Sequence, residues 1–180
     1  AVEVVRRVRE VAGPDFLVMY RLSALDLVPD AQEFEQVLAL GREVESAGAS
    51  IVNTGIGWHE ARIPTIATSV PPAGFTWVSR ALREHLEIPV AAVNRINTPE
   101  IGEAVIERGD ADLVCLARPF LADPSFVSKA RENRPDEINT CIACNQACLD
   151  HTFSGKRMSC LVNPRAMRET CLLYTSPSPR

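Results

Sequence analysis

An α/β fold built on a parallel sheet is what this sequence predicts, on two observations. Short apolar runs of strand length recur through the first two thirds of the chain, and helix-sized segments with an apolar face separate them. Such alternation puts helical crossovers between parallel strands. A doubly wound sheet and a (β/α)8 barrel both fit the pattern. Four strands make a small open sheet or half a barrel, since a full barrel takes about 250 residues.

The elements follow in order. Val4, Val5, Val8 and Val11 or Ala12 recur at helical spacing until Gly13-Pro14 stops the helix. Phe16 to Tyr20 is an apolar run of buried-strand type. Asp30 with Glu33 has capping-box spacing, and opens a helix with Phe34, Val37, Leu38 and Val44 on one face, ending at Gly48. Ile51 to Thr54 is the second strand. Phe75 to Leu86 reads as a helix with Val78, Ala81, Leu82 and Leu86 inward, and Val90 to Val93 as the third strand. Thr98-Pro99 supplies an N-cap and a first-turn proline for a helix that stops at Gly109. Leu113 to Leu116 is the fourth strand and Pro124 to Glu132 a further helix. The closing "CLLYTSPSPR" continues no periodicity and reads as a disordered or non-native tail, so Cys171 is given no role. At its other end the chain opens on Ala1 inside a helical pattern, as a fragment of a longer protein would.

Lys and Arg number 19 against 23 Asp and Glu, with both signs mixed along the chain and a net charge of -4. A nucleic-acid or membrane-surface binder would carry a basic stripe, so neither partner is expected. No apolar stretch approaches a membrane span and no signal peptide opens the chain. The expectation is a soluble cytoplasmic protein, in a compartment where disulfides are rare.

Four of the six cysteines then stand out: Cys141, Cys144, Cys148 and Cys160, spaced C-x2-C-x3-C-x11-C. A [4Fe–4S] cubane takes four thiolates, three close in sequence and one returning from a loop. A four-cysteine zinc site needs the same count, but its usual pattern is two C-x2-C knuckles. The spacing leans toward iron–sulfur and leaves zinc open.

The segment "INTCIACNQACLDHTFSGKRMSCLVNPRA", with "YRLSALDLVPDA", "IVNTGIGWHEARIPTIAT", "VNRINTPE" and "GDADLVCLARPFLADP" upstream, resembles the bacterial 2,4-dienoyl-CoA reductases, iron–sulfur flavoenzymes of the old yellow enzyme group. The resemblance covers residues 1–168. It implies the second half of an FMN-binding TIM (β/α)8 barrel over residues 1–135, a [4Fe–4S] cluster segment over 136–168 and a tail over 169–180. The first half-barrel and a domain for FAD and NADPH would lie outside this chain. It also implies an electron relay from NADPH through FAD, the cluster and FMN to a conjugated acyl-CoA substrate. A related enoate reductase or amine dehydrogenase is the nearer alternative, and a non-catalytic zinc-binding module the further one.

Carried over residue by residue, the resemblance gives the cluster to the four cysteines and the FMN phosphate and ribityl contacts to Arg95, Ala117 and Arg118. Barrel phosphate sites do favour the loops after the last strands, and an arginine fork suits a phosphate. Arg21, expected just after the first strand, would face the flavin's pyrimidine edge, where positive charge stabilises the reduced anion. His59 would sit in the substrate pocket beside a proton-donating tyrosine outside this chain. His85 reads as a surface residue, His151 as a neighbour of the cluster and not a ligand, Cys115 as a small buried hydrophobe, and Trp58 and Trp77 as packing.

Overall fold

The computed structural model describes residues 1–58 and 60–171. Two compact units divide the chain: residues 1–96 with 100–116, and residues 97–99 with those from 117 onward.

The first unit runs α1 (Val2–Ala12), β1 (Met19–Leu25), α2 (Phe34–Ser46), β2 (Ile51–Ile56), α3 (Thr76–Arg83), β3 (Val90–Ala92), α4 (Pro99–Glu107, whose first residue falls in the second unit) and β4 (Leu113–Val114). All strand pairs are parallel, in the order β1-β2-β3-β4. A doubly wound sheet reverses its strand order at a switch point. Four successive strands laid side by side without reversal are instead the order of a TIM barrel, here four strands of the eight.

The period-two rule explains which face each strand buries. Leu22 and Ala24 of β1 enter a core with Val37, Val52, Val78, Leu82 and Val90, beneath the helices. Met19, Arg21 and Ser23 alternate onto the opposite, exposed face. The register pairs Tyr20 with Val52 and Arg21 with Asn53, so the two faces stay consistent across strands. Burying Val44, Val52 or Leu82 completely contributes about 1.5–3 kcal/mol each.

Several boundaries differ from the sequence reading. Phe16 and Leu17 are 59% and 60% exposed, and the first strand begins three residues later, at Met19. What fixes it is pairing with β2, whose Ile51 lies opposite Met19. The capping box is Glu33 with Gln36, each side chain reaching the other's backbone N–H, while Asp30 sits in the turn before with φ 57. Of the α1 stripe only Val5 is buried, packed on Val44 and Ala47; Val4, Val8 and Val11 are exposed. Trp77 is 55% exposed on α3 and does not pack as expected. The proline start of α4 stands as read.

At the far end of the sheet Asp110, 3% exposed, gathers Thr76, Arg80 and Arg108. Asp112 accepts from Arg83 and from the Val90 N–H at 2.9 Å. These carboxylates tie α3 and the end of α4 to β3.

The second unit holds α5 (Arg118–Ala122), α6 (Phe126–Arg131), a 3-10 turn (Pro135–Glu137) and α7 (Leu149–Phe153). Its organising group is Asp123, also 3% exposed. It accepts from Lys129 Nζ at 2.6 Å, Ser125 N–H at 2.9 Å and Asn139 N–H at 2.9 Å. Asn163 Nδ2 donates to the Leu121 carbonyl at 2.9 Å. These bonds fold the cysteine segment onto α5 and α6. Among the described residues, no helix is long and apolar enough to cross a membrane.

Candidate functional site

Cys141, Cys144, Cys148 and Cys160 line one recess in the second unit that is partly open to solvent. Local chemistry curls the chain around it. Ala143 and Asn145 have φ of 56° and 64°, while the residues flanking them do not. Alternating left-handed residues turn successive N–H groups toward one concavity, a backbone form common at phosphate and iron–sulfur sites. Asparagine tolerates that conformation; for Ala143 it costs about 1–2 kcal/mol. The surroundings hold it there: Ala143 is buried, and Asn97 Nδ2 donates to the Cys141 carbonyl. Asp150 N–H donates to the Asn145 carbonyl at 3.0 Å, and Ser159 N–H to the Ala147 carbonyl at 2.7 Å, which brings Cys160 back beside Cys148.

Burial pushes the Cys148 thiol up from its ordinary range, and the thiolates of Cys144 and Cys141 add to that. The Leu149 N–H and the Arg118 guanidinium act the other way without reversing it. Among the described residues, no three His, Cys, Asp or Glu side chains converge closely enough to hold a metal ion. In number and kind this donor set fits a [4Fe–4S] cluster, which distributes four thiolates over four corners.

His151 does not line the recess; its Nδ1 lies 3.1 Å from the Arg157 carbonyl oxygen. Cys115 packs against the sheet core, and Cys171 is exposed.

Arg118 lines the same recess and donates through Nη1 to Asn145 Oδ1. Ala117, exposed, precedes it as the N-cap of α5. Arg95, in the first unit, follows β3 in a left-handed pair with Asn94, φ 58° and 71°. Its Nε donates to the Val70 carbonyl at 2.8 Å, and its own carbonyl accepts from Ala73 N–H at 3.0 Å. Arg95 thus braces the 70–73 turn against the end of β3.

Arg21 is inside β1, not after it, and exposed. Its register partner Asn53 is a residue that sequence reasoning passed over. Asn53 is 4% exposed, its Nδ2 lies 3.8 Å from Met19 Sδ, and its Oδ1 has no hydrogen-bond partner among the described residues. A buried orphan acceptor costs about 1–3 kcal/mol. With Arg21 as its partner across the register, it suits a ligand edge that both donates and accepts. The signal in the sequence was one amide within an apolar strand.

His59 lies outside the described residues. Trp58 before it is 50% exposed, not packed as expected, and its N–H donates to the Asp26 carbonyl at 2.9 Å. Trp58, Glu60, Arg21 and Asp26 share an open cleft. The loop leaves β2 through Gly57, φ 78°, where a Cβ would meet Thr65 Cγ2 at 2.7 Å. Gly57→Ala is expected to destabilise the chain by about 1–2 kcal/mol, read as a lower denaturation midpoint. Adding Thr65→Ala should recover the steric part and leave the backbone part.

Residues 1–137 match the family described as NADH:flavin oxidoreductase / NADH oxidase. The chain is 39% identical to a metal reductase of Desulforamulus reducens over 98% of its own length and 26% of the relative's. It is 33% identical to an NADH oxidase of Thermoanaerobacter brockii, over 93% of this chain and 26% of that one. The solved structure of 2-naphthoyl-CoA reductase with 2-naphthoyl-CoA superposes with a TM-score of 0.89 at 29% identity, covering 93% of this chain and 26% of that one. The chain therefore spans about a quarter of the length of these relatives. Since the match extends along most of the sequence, and the strands run in barrel order, the chain belongs to the NADH:flavin oxidoreductase / NADH oxidase family.

Proposed function

We propose that this chain is the FMN- and cluster-binding part of an NADPH-dependent reductase of the 2,4-dienoyl-CoA type, which saturates a conjugated C=C in an acyl-CoA. The observation that carries the reading is the four-thiol recess following four parallel strands in barrel order. Likeness to a protein solved with an aryl-CoA thioester supports the substrate class. The first half-barrel, and a domain for FAD and NADPH, would come from the rest of the protein.

When bound, FMN would supply hydride to the alkene and the cluster would supply electrons singly. The chain's own residues would do the following. Cys141, Cys144, Cys148 and Cys160 would ligate the cluster. Arg21 and Asn53 would grip the pyrimidine edge, with the arginine setting positive charge where reduction adds negative charge. Arg95, the Ala117 backbone and Arg118 would hold the phosphate and ribityl chain. His59 would hydrogen-bond the tyrosine hydroxyl that protonates the alkene carbon. A second reading keeps this machinery and changes the electron acceptor; the higher identity to a metal reductase favours it.

The test is anaerobic reconstitution of the chain, followed by assay of iron, acid-labile sulfide and zinc. About four irons and four sulfides per chain are expected. One zinc without sulfide would replace the electron relay with a structural metal module. In the full-length protein, NADPH-dependent bleaching of a dienoyl-CoA, compared with ferric chelate turnover, separates the two acceptor readings.

A further inference from the structure

We propose that Arg118 is a positioning residue of the cysteine recess that sets how readily a cluster held there accepts an electron. The inference rests on the cluster reading above and adds to Arg118 a role distinct from flavin binding. Apart from the thiols, Arg118 is the one charged side chain on the wall among the described residues; Leu121, Ile142, Ala147 and Val162 make the rest largely apolar. Charges act more strongly across such a wall than in bulk water.

The guanidinium is also tethered. Its Nη1 donates to Asn145 Oδ1, and Asn145 sits left-handed between Cys144 and Cys148 with its carbonyl held by Asp150. One side chain therefore fixes both the ligand loop and a positive charge facing four thiolates. Reduction adds one electron to the cluster, forms no bond and moves no proton. The oxidised and reduced states differ by one negative charge, and a fixed cation favours the more negative one. Net charge and hydrogen bonding around the sulfurs are the levers that set such potentials.

The experiment is an EPR-monitored titration of the reconstituted chain with dithionite as reductant, without flavin. Arg118→Gln should lower the equilibrium constant for cluster reduction at least tenfold, 59 mV for one electron, and Arg118→Lys should recover most of it. An Arg118→Gln potential within twofold of the parent constant overturns the proposal. Should Arg118→Gln hold no cluster, Arg118→Lys and Asn145→Ala decide. A cluster restored by lysine, with a lowered potential in the alanine variant, upholds the proposal; any other pairing overturns it. A parent chain that takes up no iron or sulfide overturns the cluster reading itself, which is a different result from a parent-like variant.

Discussion

Cys148→Ala is expected to reduce reconstituted iron from about four per chain to about three or fewer, with loss of the broad visible absorbance. Cys148 is the most enclosed of the four thiols, 8% exposed where α7 begins. Removing it leaves one corner of the cluster without a thiolate, and burial keeps water from replacing that ligand well. Cys115→Ser and Cys171→Ser are the controls, since neither side chain lines the recess. Both should retain full iron and sulfide. Ligand binding is also folding energy, since the ligands converge only in the folded segment. Amide exchange across residues 139–163 should therefore slow on loading in the parent and stay fast in Cys148→Ala. Equal iron in parent and variant would remove Cys148 from the ligand set.

How far the sequence carries the fold depends on whether a signal is local. Pro99 starting a helix needs only its fixed φ and missing N–H, and the structure starts α4 there. The start of β1 is not local. Phe16 and Leu17 are as apolar as Met19 and Tyr20, and only alignment with Ile51 on β2 selects the strand. The Val4-Val8-Val11 stripe is a true helical periodicity whose exposure depends on what surrounds α1, and no spacing rule encodes that. Pattern also left open sheet and barrel unresolved, because both use the same crossovers. Strand order decides it, and order is a tertiary property.

The site shows the same division. Cysteine spacing is covalent and short-range, so a four-thiol recess could be read from residues 141–160 alone. The residues that fix its shape could not. Asn97 and Asp123 act from 44 and 16 positions away, on the Cys141 carbonyl and the Asn139 N–H. Nothing in an isolated Asn or Asp marks such a target. Asn53 was hidden for a related reason: an amide in a buried strand gains its meaning from the unpaired acceptor and from Arg21 across the register.

The second large effect expected is on stability. Asp110→Ala should cost about 3 kcal/mol, the low end for breaking a buried ion pair. The carboxylate is 4% exposed, and it receives Thr76 Oγ1 at 2.8 Å, Arg80 Nε at 2.7 Å and Arg108 Nη2 at 3.0 Å. Both arginines are 48% exposed, so water recovers part of their solvation once the carboxylate is gone. The buried Thr76 hydroxyl, which has one proton to give, can turn it from the lost carboxylate to the Ala73 carbonyl at 3.1 Å. Those two facts place the estimate at the low end. Burial alone would raise the Asp110 pKa; the bonds from Thr76, Arg80 and Arg108 outweigh it and hold the carboxyl below the usual value of 3.8. A folded pKa below the unfolded one contributes stability above 3.8 that is lost as pH falls through the folded value. Denaturant midpoints of the parent should therefore drop as pH falls below about 4. Asp110→Asn keeps the shape, removes this group's share of the acid slope and lowers the midpoint at pH 7. Asp112 and Asp123 are held low in the same way, so part of the slope persists in the variant. A variant with the parent's full acid slope would show that Asp110 does not carry that linkage.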